Sequence, residues 1–204
     1  MDLKIIGITG QVGSGKSTVA NIMKEKYGAH LILTDNIAHD LMKKGGICYG
    51  LIVNYFGETI LDEKKEIDRN KLSQIVFKDS LKLSDLNDII HPYVMNYVFD
   101  EINRLNMEGH VKYLVIETAL LIEAGYKEIC DEVWAVTLLD QVRRERLKKS
   151  RGYSDEKIDS ILKNQLEDEI IQKNATNIII NNGDKQQLAD QIKQLLHLLA
   201  RVKL

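Results

Sequence analysis

Cysteine, proline and tryptophan are almost missing from this chain, and each scarcity narrows what it can be. Its 204 residues include two cysteines, one proline and one tryptophan. Cys48 and Cys130 lie far apart with no metal-ligand spacing, which suits a reducing cytoplasm. The five histidines (His30, His39, His91, His110, His197) show no close pairing either, so a structural metal is not expected. Charge of one sign is lacking too. The 28 basic and 30 acidic residues nearly cancel, which removes any bulk electrostatic case for nucleic acid or an anionic membrane. No apolar run approaches the roughly 18–20 residues that span a bilayer. The first residues lack the charged region, hydrophobic stretch and cleavage site of a secretory leader. There is no internal repeat, low-complexity stretch or linker. A length of 204, with 44% hydrophobic and 28% charged residues, points to a single soluble cytoplasmic domain with subregions.

What is present begins at Gly10-Gln11-Val12-Gly13-Ser14-Gly15-Lys16-Ser17, which fits G-x-x-x-x-G-K-[ST]. The apolar run Leu3–Ile8 before it reads as a strand, and a helix from near Lys16 carries Val19, Ile22 and Met23 on one side. Glycines let such a loop turn so that successive N–H groups converge, and the helix N-terminus adds partial positive charge. The pattern predicts a triphosphate cradle, with Lys16 on the β- and γ-phosphates and the Ser17 hydroxyl on Mg²⁺.

His30–Leu33 reads as a second strand ending at Thr34-Asp35. A carboxylate at the carboxyl end of a strand can take a proton from a hydroxyl attacking the γ-phosphate, or can cap the next helix. Residues 47–110 read as a helical insertion, a natural platform for a second substrate. Within it, Asp68 opens a helix toward Ile75, Val76 and Phe77. A longer helix runs roughly from Ser80 to Arg104, with Leu86, Ile90, Val94 and Val98 in its repeat. Pro92 is predicted to kink or divide that helix near His91, which then reads as a local hydrogen-bonding residue.

Tyr113–Ile116 and Val133–Leu138 read as buried strands, with Trp134 in the core. Glu117 at the edge of the first either orients a metal's water shell or caps the segment after it. From Gln141 to Arg151 there are six basic residues against Glu145. Such a run is a solvated helix face or an arginine lid over phosphates, hinged at Arg151–Ser154, with a helix resuming from Asp155 to Gln165. Which arginine points inward is open. Asn177–Ile180 is the fifth strand, with the turn Asn181–Asp184 after it. A last helix from Lys185 to about Val202 carries a stripe (Leu188, Ile192, Leu195, Leu199, Val202) for the sheet or, failing that, a partner helix.

Laid out together, these residues resemble the dephospho-coenzyme A kinase family. The resemblance covers Ile8-Thr9-Gly10 with Val12–Ala20, Asp35 with Ile37-Ala38, Phe56-Gly57, and Ile67-Asp68-Arg69 with Leu72 and Val76-Phe77. It continues through Leu86-Asn87, His91-Pro92, Leu120-Leu121 with Glu123, Gln165, and Ile179 with Asn181 and Gly183. It implies a three-layer α/β P-loop kinase with a five-stranded parallel sheet, an acceptor-binding insertion (47–110), a basic lid (141–174) and a nucleotide core in 1–46, 111–140 and 175–204.

It also implies transfer of the γ-phosphate of ATP to the ribose 3′-hydroxyl of dephospho-CoA, with Mg²⁺. By position, Gly13, Ser14, Gly15, Lys16, Ser17 and Thr18 would cradle the triphosphate, and Asp35 would be the base. His91 would serve the acceptor, Arg146 and Arg151 the lid, and Asn181 with Gly183 the adenine. Lys16 and Arg146 would act on the transferring group. No nucleic acid or membrane partner is implied, and the state is a monomer or weak homo-oligomer. The chain departs from the family in having Gln11 for a usual glycine, Leu33 where an aspartate precedes Asp35 by two, Ala119 for proline, and an altered lid spacing. Another nucleoside or nucleotide kinase, a P-loop ATPase acting on a partner, or a binding protein without catalysis are the competing readings.

Overall fold

Five short apolar runs become strands because each is too short for a helix and is flanked by turn residues. In the computed structural model, which describes residues 2–201, these are β1 (Lys4–Thr9), β2 (His30–Leu33), β3 (Tyr113–Glu117), β4 (Glu132–Thr137) and β5 (Asn177–Ile180). They form one sheet in the order β2-β3-β1-β4-β5, in which β1 pairs parallel with β3 and β4, and β4 with β5. The strand order reverses around β1, the place where open α/β sheets bind ligands beyond their carboxyl ends. In register, Ile8 lies level with both Glu117 and Trp134, so the loop after Thr9 emerges beside the end of β3.

Alternate residues of these strands face one layer. Ile6, Ile8, Val115, Trp134, Val136 and Ile179 are buried together with Val19, Ile22 and Met23 of α1 (Lys16–Tyr27) and with Leu188 and Ile192 near the C-terminus. On the opposite face Gly7 leaves room for Leu121 and Cys130; a Cβ there would stand 2.4 Å from the Leu121 side chain. With both faces covered, the strands read as unbroken apolar runs. The last helix, α9 (Lys185–Arg201), turns Leu188, Ala189, Ile192 and Leu196 inward, with Leu195 partly buried, so its stripe is sheet packing; Val202 lies outside the described residues.

The chain forms two compact units: residues up to Ile32 together with those from Leu105 on, and Leu33–Arg104. The second is helical, with α2 (Thr34–Met42) packed on α3 (Ile47–Phe56), then α4 (Arg69–Val76) and most of α5 (Ser80–Glu108). Asp68 caps α4, its carboxylate accepting from the backbone N–H groups of Asn70 and Lys71. One isolated antiparallel bridge, Leu61 to Ile67, interrupts the helical run.

Three expectations are corrected. α5 is not divided at Pro92 and runs on to Glu108. Leu86, Ile90, Val94 and Val98 are buried along one stripe on both sides of the proline. Burying each side chain is worth roughly 1.5–3 kcal/mol, which together outweighs the ~3 kcal/mol an interior proline costs. Asp35 is not an N-cap, because α2 starts at Thr34 with Leu33 in the cap position. Finally, the helix after the basic segment ends at Leu162, which leaves Gln165 in the connection to a further short helix, α8 (Asp168–Lys173).

Candidate active site

The loop after β1 has the backbone its glycines permit. Gly10 (φ +143) passes so close to β4 that a Cβ would sit 2.3 Å from the Val136 carbonyl oxygen. Gly15 (φ +95) precedes α1, and a Cβ there would meet the Asn181 amide nitrogen at 2.1 Å. No L side chain fits either place. Gly13 lies against the Leu147 side chain. Lys16 Nζ donates to the carbonyl of Gly10 at 2.8 Å and to that of Gln11 at 3.4 Å. Ser14 is fully buried and its hydroxyl has no hydrogen-bond partner among the described residues. Ser17 and Thr18 are exposed in the first turn of α1. The Ser17 hydroxyl donates to Glu117 Oε1 at 2.8 Å, a pairing of residues one hundred positions apart.

From the other side, the loop is held by residues late in the chain. Asn181 Nδ2 donates to the Ser14 carbonyl at 2.7 Å, and Asn181 is itself buried. The guanidinium of Arg146, on α6 (Asp140–Arg151), donates to the carbonyls of Asn181 (2.8 Å) and Gly183 (3.1 Å). Arg146, Asn181 and Gly183 are thus gathered beside the loop. Arg151 is not: it is exposed, with its guanidinium 5.8 Å from the Tyr153 ring centre.

Three of the six cations of α6 are matched by carboxylates lying outside the basic run. Arg144 bonds Asp140, Asp155 and Asp159, and these carboxylates raise its pKa further. Lys148 bonds Asp155 of α7 (Asp155–Leu162), and the buried Arg143 bonds Asp168. Arg143, Gln165 and Glu117 all touch the loop or its first turn, contacts that no local pattern shows, because each partner is more than ninety residues away.

In the helical unit, Asp35 is exposed in the first turn of α2. His91 is half-buried on α5; burial pushes its pKa below 6.5, against an opposing pull from Asp88. The same unit has a hollow of about 350 Å³ lined by His39, Met42, Lys43, Glu66, Ile67 and Arg69.

A family model described as dephospho-CoA kinase matches residues 4–187. The chain belongs to the dephospho-CoA kinase family. Among relatives of this kinase, the dephospho-CoA kinase of Aquifex aeolicus is 36% identical over 200 residues, covering 98% of this chain and 99% of its own. That of Carboxydothermus hydrogenoformans is 36% identical over 194 residues, covering 95% and 93%. The crystal structure of TT1252 from Thermus thermophilus matches the kinase with a TM-score of 0.82 at 28% identity, covering 98% of this chain and 99% of that one. Shikimate kinase from Acinetobacter baumannii (TM-score 0.54, 18% identity, covering 98% and 95%) shares the fold. Among the described residues of the kinase, no helix is long and apolar enough to cross a membrane.

Proposed function

We propose that Asp35 is the general base with which this ATP-dependent phosphotransferase acts on dephospho-CoA in coenzyme A synthesis, taking the proton of the ribose 3′-hydroxyl as it attacks the γ-phosphate. The observation that carries the nucleotide half is the loop: Gly10, Gly13 and Gly15 all have positive φ, and the loop runs directly into the N-terminus of α1, which opens with Lys16. Lys16, resting on the loop's own carbonyls, needs only a side-chain rotation to meet β- and γ-oxygens. In this reading Asn181 and Gly183 border the adenine. Arg146 holds that turn and offers its guanidinium face to the base; with its donors given to two carbonyls, it belongs to ATP binding. Arg151 is the arginine free to close on the phosphoryl group.

The Ser17 hydroxyl and Glu117 carboxylate are hard oxygen donors, and they fit Mg²⁺, which commonly takes one or two protein oxygens with the remainder from phosphate and water. Bound there, the ion would neutralise charge on the β- and γ-oxygens. Ser17 would ligate it, and Glu117 would orient Ser17 or a coordinated water. On the acceptor side, His91, kept neutral by burial, and the hollow bearing Lys43 and Arg69 are assigned to dephospho-CoA, whose phosphates suit cationic side chains. The enzyme is taken to work in the cytoplasm as a monomer or weak homo-oligomer.

The test is ADP formation with and without dephospho-CoA, in the wild type and in Asp35→Asn. The wild type should depend strongly on acceptor. The variant should keep its ATP affinity and lose at least about 10²-fold in turnover; collapse of ATP binding would show that Asp35 acts structurally.

A further inference from the structure

Two glutamines tie the phosphate loop from outside, and phosphate binding explains neither. Gln11 Nε2 donates to the Leu166 carbonyl at 2.9 Å, and the Val12 N–H donates to Gln165 Oε1 at 2.8 Å. Adjacent residues of the loop and adjacent residues of the α7–α8 connection therefore exchange reciprocal side chain-to-backbone bonds across more than 150 positions. The chemistry of the partners sets the amide orientations. A carbonyl only accepts, so Gln11 must present its NH₂ group; a backbone N–H only donates, so Gln165 must present its oxygen. Gln11 is 9% exposed, so this bond is partly shielded from water.

The same corner is closed by Arg143. It is 2% exposed, donates from Nη1 to the Val12 carbonyl at 3.4 Å, and is ion-paired through its other Nη to Asp168 at the start of α8. Both backbone polar groups of Val12 are thus spoken for, while Asn181 holds Ser14 two residues on.

We infer that Gln11 and Gln165 are positioning residues for ATP: acting through the loop backbone, Gln11 as donor and Gln165 as acceptor, they pre-set the conformation that receives the triphosphate. Because the clamp bears on the loop backbone and not on the reacting atoms, the loop ordering it supplies counts alike toward the ATP-bound ground state and the transition state. Its loss should appear in the KM for ATP and hardly in kcat.

The two residues have opposite hydrogen-bonding roles, and this makes the inference testable with paired isosteres in the full-length enzyme. Gln11→Glu removes the donor; Gln165→Glu keeps an acceptor. Both add the same charge and almost no volume. Titration calorimetry with ATP should show Gln11→Glu weakened at least about threefold more than Gln165→Glu, within the range a single lost hydrogen bond produces. Equal weakening, or the reverse order, overturns the inference.

Gln11→Met is uncharged, similar in length and lacks the donor, and it serves as a second variant should Gln11→Glu not fold. It should raise the KM for ATP about 3- to 10-fold, with kcat and the KM for dephospho-CoA each within about twofold. A fall in kcat with unchanged KM, or a uniform loss that tracks a lower Tm, would mean that Gln11 only supports the fold. The inference rests on ATP as the ligand of the loop. Wild-type enzyme that failed to bind ATP would sink that reading itself, whereas matched behaviour of the two Glu variants sinks only the clamp.

Discussion

Arg146 and Arg151 lie on the same helix and meet opposite fates. Arg146 has both terminal nitrogens on backbone carbonyls of the turn after β5, and Arg151 has an aromatic ring and open solvent. Arg146→Ala should therefore raise the KM for ATP about tenfold, as expected when charge-assisted bonds shaping a binding turn are lost, with a smaller change in kcat. Arg151→Ala should do the reverse, lowering kcat with KM nearly unchanged. Steady-state kinetics on the two variants separates the roles, and a kcat loss confined to Arg146→Ala would exchange the assignments. Cys130 sits at the same scale. Burial pushes its thiol up to about 12, so it stays protonated and packs against Gly7 as a small hydrophobe.

Among the elements, α5 is the one that defies its composition. Pro92 supplies no N–H to the carbonyl four residues back, yet the helix continues because its buried stripe is anchored on either side. Pro92→Ala restores that bond. It should stabilise the enzyme by about 2–2.5 kcal/mol, the interior-proline penalty of ~3 kcal/mol less the ~0.4–1 kcal/mol of unfolded-state rigidity that proline contributes. Urea unfolding checks this, and a variant no more stable than wild type would show that the proline is accommodated without strain.

Strand β5 has a second device. Ile178 and Ile180 are exposed, but Gln191 of α9 both donates to and accepts from the Ile180 backbone, occupying the sheet's open edge as another strand would. The strands themselves were legible to within a residue, because short β-branched runs between turns have few alternatives. The Gln191 edge-cap was not, since a glutamine on a helix carries no mark of the strand it serves.

For the whole molecule, the two compact units divide the substrates between them in the proposed reading. The unit containing the sheet holds the loop, Glu117, Arg146 and Asn181; the helical unit holds Asp35, His91 and the 350 Å³ hollow. Arg69→Ala, lining that hollow, should raise the KM for dephospho-CoA severalfold and leave the KM for ATP unchanged. Equal effects on both substrates would remove the hollow from the acceptor site.

What the sequence determined by itself is what is encoded within a few residues: the phosphate loop, the apolar periods of strands and helices, the Asp68 cap, and an aspartate at the end of β2. These depend on spacing along the chain, and spacing is visible in a string. Only the tertiary structure decided which cation faces the loop, that Glu117 receives the Ser17 hydroxyl, that Gln11 and Gln165 tie the loop to the α7–α8 connection, and that carboxylates before and beyond the basic run pair with half of its cations. The pairs that hold the loop join residues 100 to 155 positions apart, brought together only by the fold. A hydrogen bond is specified by the position of two atoms within a few tenths of an ångström, and no pattern in one segment contains the position of the other.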